Sequence, residues 1–417
     1  MESFVTLGDY VSTQKGFAFK SKWFVDSGRE IVKVSDFTED SICSINLVKI
    51  SNDLGEQYSR YSLSTGDVVI QTVGSWPSNP ASVVGKTIRV PKSVDGALLN
   101  QNAVKIIPSE ELHGGFLYYL LRSEAFKEFI IGTAQGAASQ ASITLDAIKR
   151  YKFLLPQFEV QADIAEYLEN YDNLIENNNR RIAILEDMVQ SLYREWFVNF
   201  RYPNHEDNLD ADGKPKLIDS PLGQIPEGWE VKRLDEVADV NPQSVTKKNA
   251  PEEIGYIDIK SVGTGIINEV KAMSFDGAPS RARRIVIDGD IIWATVRPNR
   301  KQFSYICKPA PNTIASTGFA VLRSKNLPAS YLYSFTTTDS FTGYLVNHAT
   351  GSAYPAVNAD IFQKADILVP PQQLVEQFEE LCSNAISQSE VLKEKNKNLK
   401  HQRYMLLPKL ISGQIEL

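Results

Sequence analysis

A seven-residue rhythm of apolar side chains runs through Gln161–Phe197 and limits the possible folds more than any other feature of the sequence. Ile164, Leu168, Tyr171, Ile175, Ile182, Leu185, Val189, Leu192 and Trp196 follow one another at steps of four and three, with Asn178 in the one polar slot. Such steps lay a seam along one side of a helix. A seam of that length is not stable alone in water and needs a partner. Adding 210 to each number gives Leu374, Phe378, Leu381, Ala385, Gln388, Leu392, Lys395, Leu399, Gln402 and Leu406, the same rhythm with a more polar middle. Two matched helices, each after a block of roughly 150 residues, imply a duplicated protein.

The blocks bear this out as sequence. Gly289–Val296 (GDIIWATV) matches Gly66–Val73 (GDVVIQTV). Leu332, Tyr333 and Phe341 match Leu117, Tyr118 and Phe126 at a constant offset of 215, and Gly351 matches Gly136. Leu368-Val369-Pro370 matches Leu154-Leu155-Pro156. In the first block, strands are expected over Glu30–Val34, Asp67–Val73, Thr87–Pro91, Ala103–Ile107 and Tyr151–Leu155, with one helix over Gly114–Ile131. Turn signals fall at Gly66-Asp67, Gly74 and Pro77-Ser78-Asn79-Pro80, and Pro156 stops the last strand and opens the long helix. Arg201–Glu230, rich in proline, glycine and charge, reads as an exposed linker.

The expected fold class is α+β: two similar mixed α/β domains separated by two long antiparallel coiled-coil helices about a pseudo-two-fold axis. The boundaries are 1–155 (first domain), 156–200 (first spacer helix), 201–229 (linker), 230–369 (second domain) and 370–417 (second spacer helix). A helix of roughly 40 residues is about 60 Å long. Antiparallel pairing sets Ile164 beside Leu406 rather than Leu374.

Charge needs dividing before it says anything about partners. The net charge is −7, yet residues 1–155 carry 16 basic and 16 acidic side chains and residues 230–369 carry 16 and 14. The negative excess sits in the first long helix and the linker. Near-neutral blocks without a basic tail lower the expectation of a nucleic-acid partner, although a global balance says little about a local groove. No apolar run reaches the roughly 18 residues of a membrane span. The start, MESFVTLGDYVSTQKG, lacks a basic-then-apolar signal, so a cytoplasmic chain is expected. Cys43, Cys307 and Cys382 form no CxxC pair, and His113, His205, His348 and His401 are scattered, so no metal site is expected.

Catalytic patterns are missing. Gly85-Lys86-Thr87 resembles the end of a phosphate loop, but Pro80 stands where that pattern requires glycine, and proline offers no N–H to a phosphate. Asn241-Pro242-Gln243-Ser244 lacks the second proline and the aromatic of an amino-methyltransferase motif and reads as a turn. A chain of this length without GxSxG, HExxH or paired carboxylates points to recognition or scaffolding.

The densest basic clusters are Arg281, Arg283 and Arg284, and Arg297, Asn299, Arg300 and Lys301. The second follows directly on Gly289–Val296, and Arg and Asn on a loop beyond a rigid strand suit phosphate and base-edge contacts. The same loop of the first block holds Trp76 and Asn79, with Lys86 further on; Lys15, Lys20, Lys22 and Arg60 are further DNA-binding candidates. Gln135–Ser142, with Gln140, and Thr350–Tyr354 are small-residue loops that either approach a backbone closely or merely connect elements. A coiled-coil interaction scaffold and a fused enzyme with a degenerate site are the rival readings.

The repeat, Arg194-Glu195-Trp196-Phe197, the segment DSPLGQIPEGWE at Asp219–Glu230 and the ending LLPKLISGQI at Leu406–Ile415 together resemble the specificity subunit of type I restriction–modification systems. The resemblance covers the whole chain. It implies a non-catalytic subunit with two target-recognition domains, each reading half of a split site in double-stranded DNA. It further implies two modification subunits that bind S-adenosylmethionine and methylate adenine, and restriction subunits that cleave using ATP and Mg, all docked on the helical spacer, with no cofactor in this chain. The spacer length then sets the number of unread base pairs. Gly136, Gln140 and Ile143 resemble a family pattern from which the second block departs, because Tyr354-Pro355 follows Gly351.

Overall fold

The computed structural model describes residues 3–39, 41–77, 83–137, 140–209, 216–246 and 248–415. The chain forms two compact units, Met1–Glu176 with Lys397–Leu417, and Asn177–Asn396.

The first unit is built on a four-stranded antiparallel sheet in the order Val11–Lys15, Ala103–Pro108, Val68–Gln71, Thr87–Arg89. Val68–Gln71 is a run of four buried residues because both of its faces are covered. Val68 and Ile70 enter a core with Phe116, Leu117 and Phe126, whereas Val69 faces a second core with Val32, Leu63 and Ile88. A further sheet, Phe24–Val25, Val48–Ile50, Arg29–Val32 and Leu98–Leu99, stands beside it.

The second unit repeats this frame. Its sheet runs Ala238–Val240, Phe319–Ser324, Ile291–Ala294, Phe303–Tyr305, the same order with the same antiparallel pairing. Ile291 and Trp293 enter the core that holds Tyr331 and Phe341, and Ile292 and Ala294 enter the other. The matched Gly-Asp dipeptides have one physical job. Gly66 and Gly289 take φ of +90° and +83°, which glycine adopts without strain. The next carboxylate closes the turn, accepting from Ser64 N and Ile287 N, and pairs with a cation on the neighbouring strand, Lys105 at 3.0 Å or Arg323 at 2.8 Å.

The single helix expected over Gly114–Ile131 is two, Gly114–Leu120 and Glu124–Thr133. Ser123 breaks it: its hydroxyl donates to Leu120 O and accepts from Phe126 N, capping the second helix. Thr338 does the same for Phe341 between Ala329–Thr336 and Asp339–Asn347. The stretch read as a linker carries a hairpin, Leu217–Ser220 with Gly223–Pro226, and buries Ile225 and Trp229 against Phe197 and other aromatic residues. A bare linker would have left those side chains in water.

The long helices are Phe158–Tyr193 and Gln372–Ile411. In the first unit Ile164 and Leu168 share a core with Leu407, Leu410 and Ile411, and Asp172 pairs with Arg403. In the second, Val189 and Tyr193 share a core with Val375, Phe378 and Cys382, and Glu186 pairs with Lys393 at 2.8 Å. Within each unit the helices are therefore antiparallel. A widened turn over Arg194–Val198, marked by Asn199 N donating to Arg194 O at 2.8 Å, lets the adjacent Trp196 and Phe197 both enter the core.

The first seam lies where the rhythm put it, with Ile164, Leu168, Ile175, Ile182 and Val189 buried. The second needs correction. Phe378, Ala385 and Leu392 are inside, but Leu381, Gln388, Lys395 and Gln402 are exposed, and the residues one step on, Cys382, Ser389, Asn396 and Arg403, are buried instead. Polar groups win those slots because partners await them. Asn396 accepts from Asn178 Nδ2 and donates to Asn179 Oδ1, both at 2.8 Å, and Ser389 donates to Glu186.

Candidate nucleic-acid interface

In each unit the chain leaving the central strand meets the small-residue segment singled out in the sequence. In the first unit Val73–Gly74 pairs with Gln140–Ser142, which folds back on Gln135–Ala137. The approach is close: a Cβ at Gly136 would lie 2.1 Å from Gln140 O, so only glycine fits. Trp76 donates its indole N–H to Ala137 O at 2.8 Å and pins the loop. Gln140 is left exposed at the tip. Asn79 lies outside the described residues.

In the second unit Val296 and Thr350 both bridge to Ala356, and Arg297 N donates to Pro355 O at 2.7 Å. Gly351, at φ +100°, supplies the turn. The Arg297 guanidinium donates to Ala353 O at 3.3 Å and lies 4.4 Å from the centre of the Tyr354 ring. Tyr354 is 68% exposed. Pro298–Arg300 forms one tight turn between Arg297 and Lys301, which take φ of 52° and 50°. Left-handed backbone at two non-glycine residues costs about 1 kcal/mol or more each, and such strain gathers at functional loops. Lys301 Nζ reaches Asp339 at 2.6 Å and holds that carboxyl below its usual range. Asn299 and Arg300 project into solvent.

The other candidates divide by how far they are committed. Lys86 turns inward and donates to Phe37 O at 3.2 Å. Arg281 is bound to Asp258 and to Tyr256 Oη; burial raises the Asp258 pKa, but the Lys260 N–H and Arg281 outweigh it and hold the carboxyl low. Arg283 lies over Phe275 at 5.0 Å. Arg284 donates to Ser244 at 3.2 Å while its Nε is buried without a partner, and burial lowers the guanidinium pKa. Lys15, Lys20, Lys22 and Arg60 are exposed; the Gln14 side chain donates to Arg60 O, and Trp23 packs beside Tyr58, which brings their segments together.

Around these four cations lie aromatic side chains that the sequence reading passed over: Phe17, Trp23 and Tyr58, half-buried, above Phe19 and Tyr61. The signal was present in KGFAFKSKW, where basic and aromatic residues interleave. Among the described residues, no group of three or more His, Cys, Asp or Glu is placed to hold a metal ion, and no helix is long and apolar enough to cross a membrane.

The family described as type I restriction modification DNA specificity domain matches residues 2–187 and again 226–401. The MjaIX specificity subunit of a type I restriction enzyme from Methanocaldococcus jannaschii is 24% identical over 331 residues, 76% of this chain and 72% of the relative. The HindI specificity subunit from Haemophilus influenzae is 23% identical over 431 residues, 89% of this chain and 91% of the relative. The crystal structure of a type I restriction–modification S subunit from M. genitalium shares the fold, with a TM-score of 0.58 at 16% identity over 99% of this chain and 96% of that one. With two matched repeats covering most of its length, the chain belongs to the family of type I restriction–modification DNA specificity subunits.

Proposed function

We propose that each unit reads one half of a split DNA site through its paired loops, and that separate docked subunits methylate adenine and cleave. One observation carries this reading: the same loop pair is built twice on the same four-stranded frame, with Trp76 and Gln140 in one copy and Arg297, Asn299, Arg300 and Tyr354 in the other. A shared scaffold with unlike tips suits one task on two targets. Arg297 and Arg300 contact bases or phosphates of the second half-site, and Gln140 works at the first. S-adenosylmethionine, ATP and Mg belong to the modification and restriction subunits, so the chemistry happens off this chain.

The test is methylome sequencing of cells carrying the complete system with Arg297→Ala or Arg300→Ala. The expected result is relaxed or altered preference in one half of the methylated motif, each good base contact being worth about 1–3 kcal/mol. Equal loss in both halves would assign these residues to structure or to non-specific phosphate binding.

A further inference from the structure

The first unit carries a surface that the loop pair does not use. Phe17 and Trp23 are nearly parallel, 3° apart with ring centres at 6.4 Å, and Tyr58 lies 4.5 Å from Phe17 and 5.8 Å from Trp23. All three are half-buried. Beneath them Phe19 and Tyr61 are buried against Ile31, Ile50 and Leu98, so the outer rings rest on a firm base. Gly16 makes this possible: a Cβ there would lie 1.9 Å from Asn100 O, and only glycine lets the turn after the strand come that close.

Charge tells what such a surface fits. Lys20 Nζ stands 5.5 Å from the Trp23 ring and the Arg60 guanidinium 4.5 Å from the Tyr61 ring, with Lys15 and Lys22 exposed alongside. Two neighbouring cations are paired, Arg29 with Glu56 at 3.7 Å and Lys49 with Glu30 at 3.8 Å. Among the described residues, Lys15, Lys20, Lys22 and Arg60 have no carboxylate partner. In a chain of net charge −7, four cations without a carboxylate partner around half-buried aromatic rings match an anion that also has flat faces. The second unit has no counterpart among its described residues: the corresponding small core holds Tyr256, Phe275 and Ile314, and Asp258 neutralises its Arg281.

We propose that this surface is a stacking platform for nucleotides drawn out of the DNA stack, with the four cations holding the phosphates of the same strand. It gives the first unit a grip on unstacked DNA that is separate from the reading of base edges by the loops.

The experiment titrates the full chain with a fluorescein-labelled oligothymidylate of about 16 nucleotides, followed by anisotropy across a salt series. Wild type is expected to bind, more tightly at low salt. Trp23→Ala is expected to weaken binding about tenfold, with Trp23→Phe restoring most of it. Lys20→Ala with Lys22→Ala, both at exposed positions, is expected to flatten the salt dependence while the circular dichroism spectrum is unchanged. Lys364→Ala, an exposed cation of the other unit, is the control and leaves this binding intact. The proposal is overturned if wild type fails to bind, if Trp23→Ala or the lysine pair variant matches wild type, or if Lys364→Ala weakens binding as much as Trp23→Ala does. Failure of the loop reading is distinguishable, because it shows in methylated motifs and leaves oligothymidylate binding untouched.

Discussion

At the scale of single residues, the charged groups sort into those that hold the fold and those left over. Asp290 is fully buried and grips Arg323 through two hydrogen bonds of 2.8 Å. Asp290→Ala strands a desolvated guanidinium and is expected to cost about 3–5 kcal/mol, read as a lower denaturation midpoint. Asp258 gives a pH signature. Its carboxyl is held below the ordinary range, so the stability it contributes is present above that range and lost as pH falls through the lowered value. Asp258→Asn is therefore expected to be less stable than wild type at neutral pH and to lose less on acidification, as denaturant titrations across acidic pH would show. Arg297 is the opposite case, strained at φ 52°. Arg297→Gly relieves that backbone and is expected to keep or slightly raise the melting temperature while degrading recognition of one half-site, a separation a purely structural arginine would not give.

At the scale of elements, the long helices show how far periodicity reaches. The first seam was legible because its side chains are apolar and transfer from water decides their side. The second was legible only in alternate positions. Ser389, Asn396 and Arg403 are polar, and nothing local says that each will meet a partner far away in the chain. Lys393 makes the point most sharply: it is buried among Glu186, Glu390 and the Gly265 carbonyl, at 2.8, 2.8 and 2.6 Å. Lys393→Met is expected to destabilise by a few kcal/mol, since two carboxylates lose their shared cation. Glu186→Gln with Glu390→Gln in the same background is expected to recover part of the loss in a double-mutant cycle. The split helix at Ser123 is a smaller lesson, because a serine inside an apolar helical pattern doubles as a cap.

At the scale of the whole molecule, the proposal that helix length sets the gap between half-sites has its own test. Removing seven residues from both Phe158–Tyr193 and Gln372–Ile411 preserves the seam's phase and is expected to shorten the unread spacer in the methylated motif. An unchanged spacer would end that idea. The duplication itself was written in the chain, as were the two central strands, the glycines of the Gly-Asp turns and the small-residue loops. Which candidate cations meet a carbonyl or a carboxylate was not. Lys86, Arg281 and Lys301 are no less basic in sequence than Lys20, Lys22 and Arg60, and only the fold gave the first three a carbonyl or a carboxylate.

By itself the sequence determined the repeat, the seam of the first long helix and the sheets' central strands, because hydrophobic periodicity and glycine's freedom at positive φ act over a few residues. Tertiary structure alone decided that Trp76 pins one loop while Arg297 stacks on Tyr354 in the other, and that Phe17, Trp23 and Tyr58 share one surface. The physical reason is range. A hydrogen bond or ring contact between residues tens of positions apart exists only once the backbone between them has been placed.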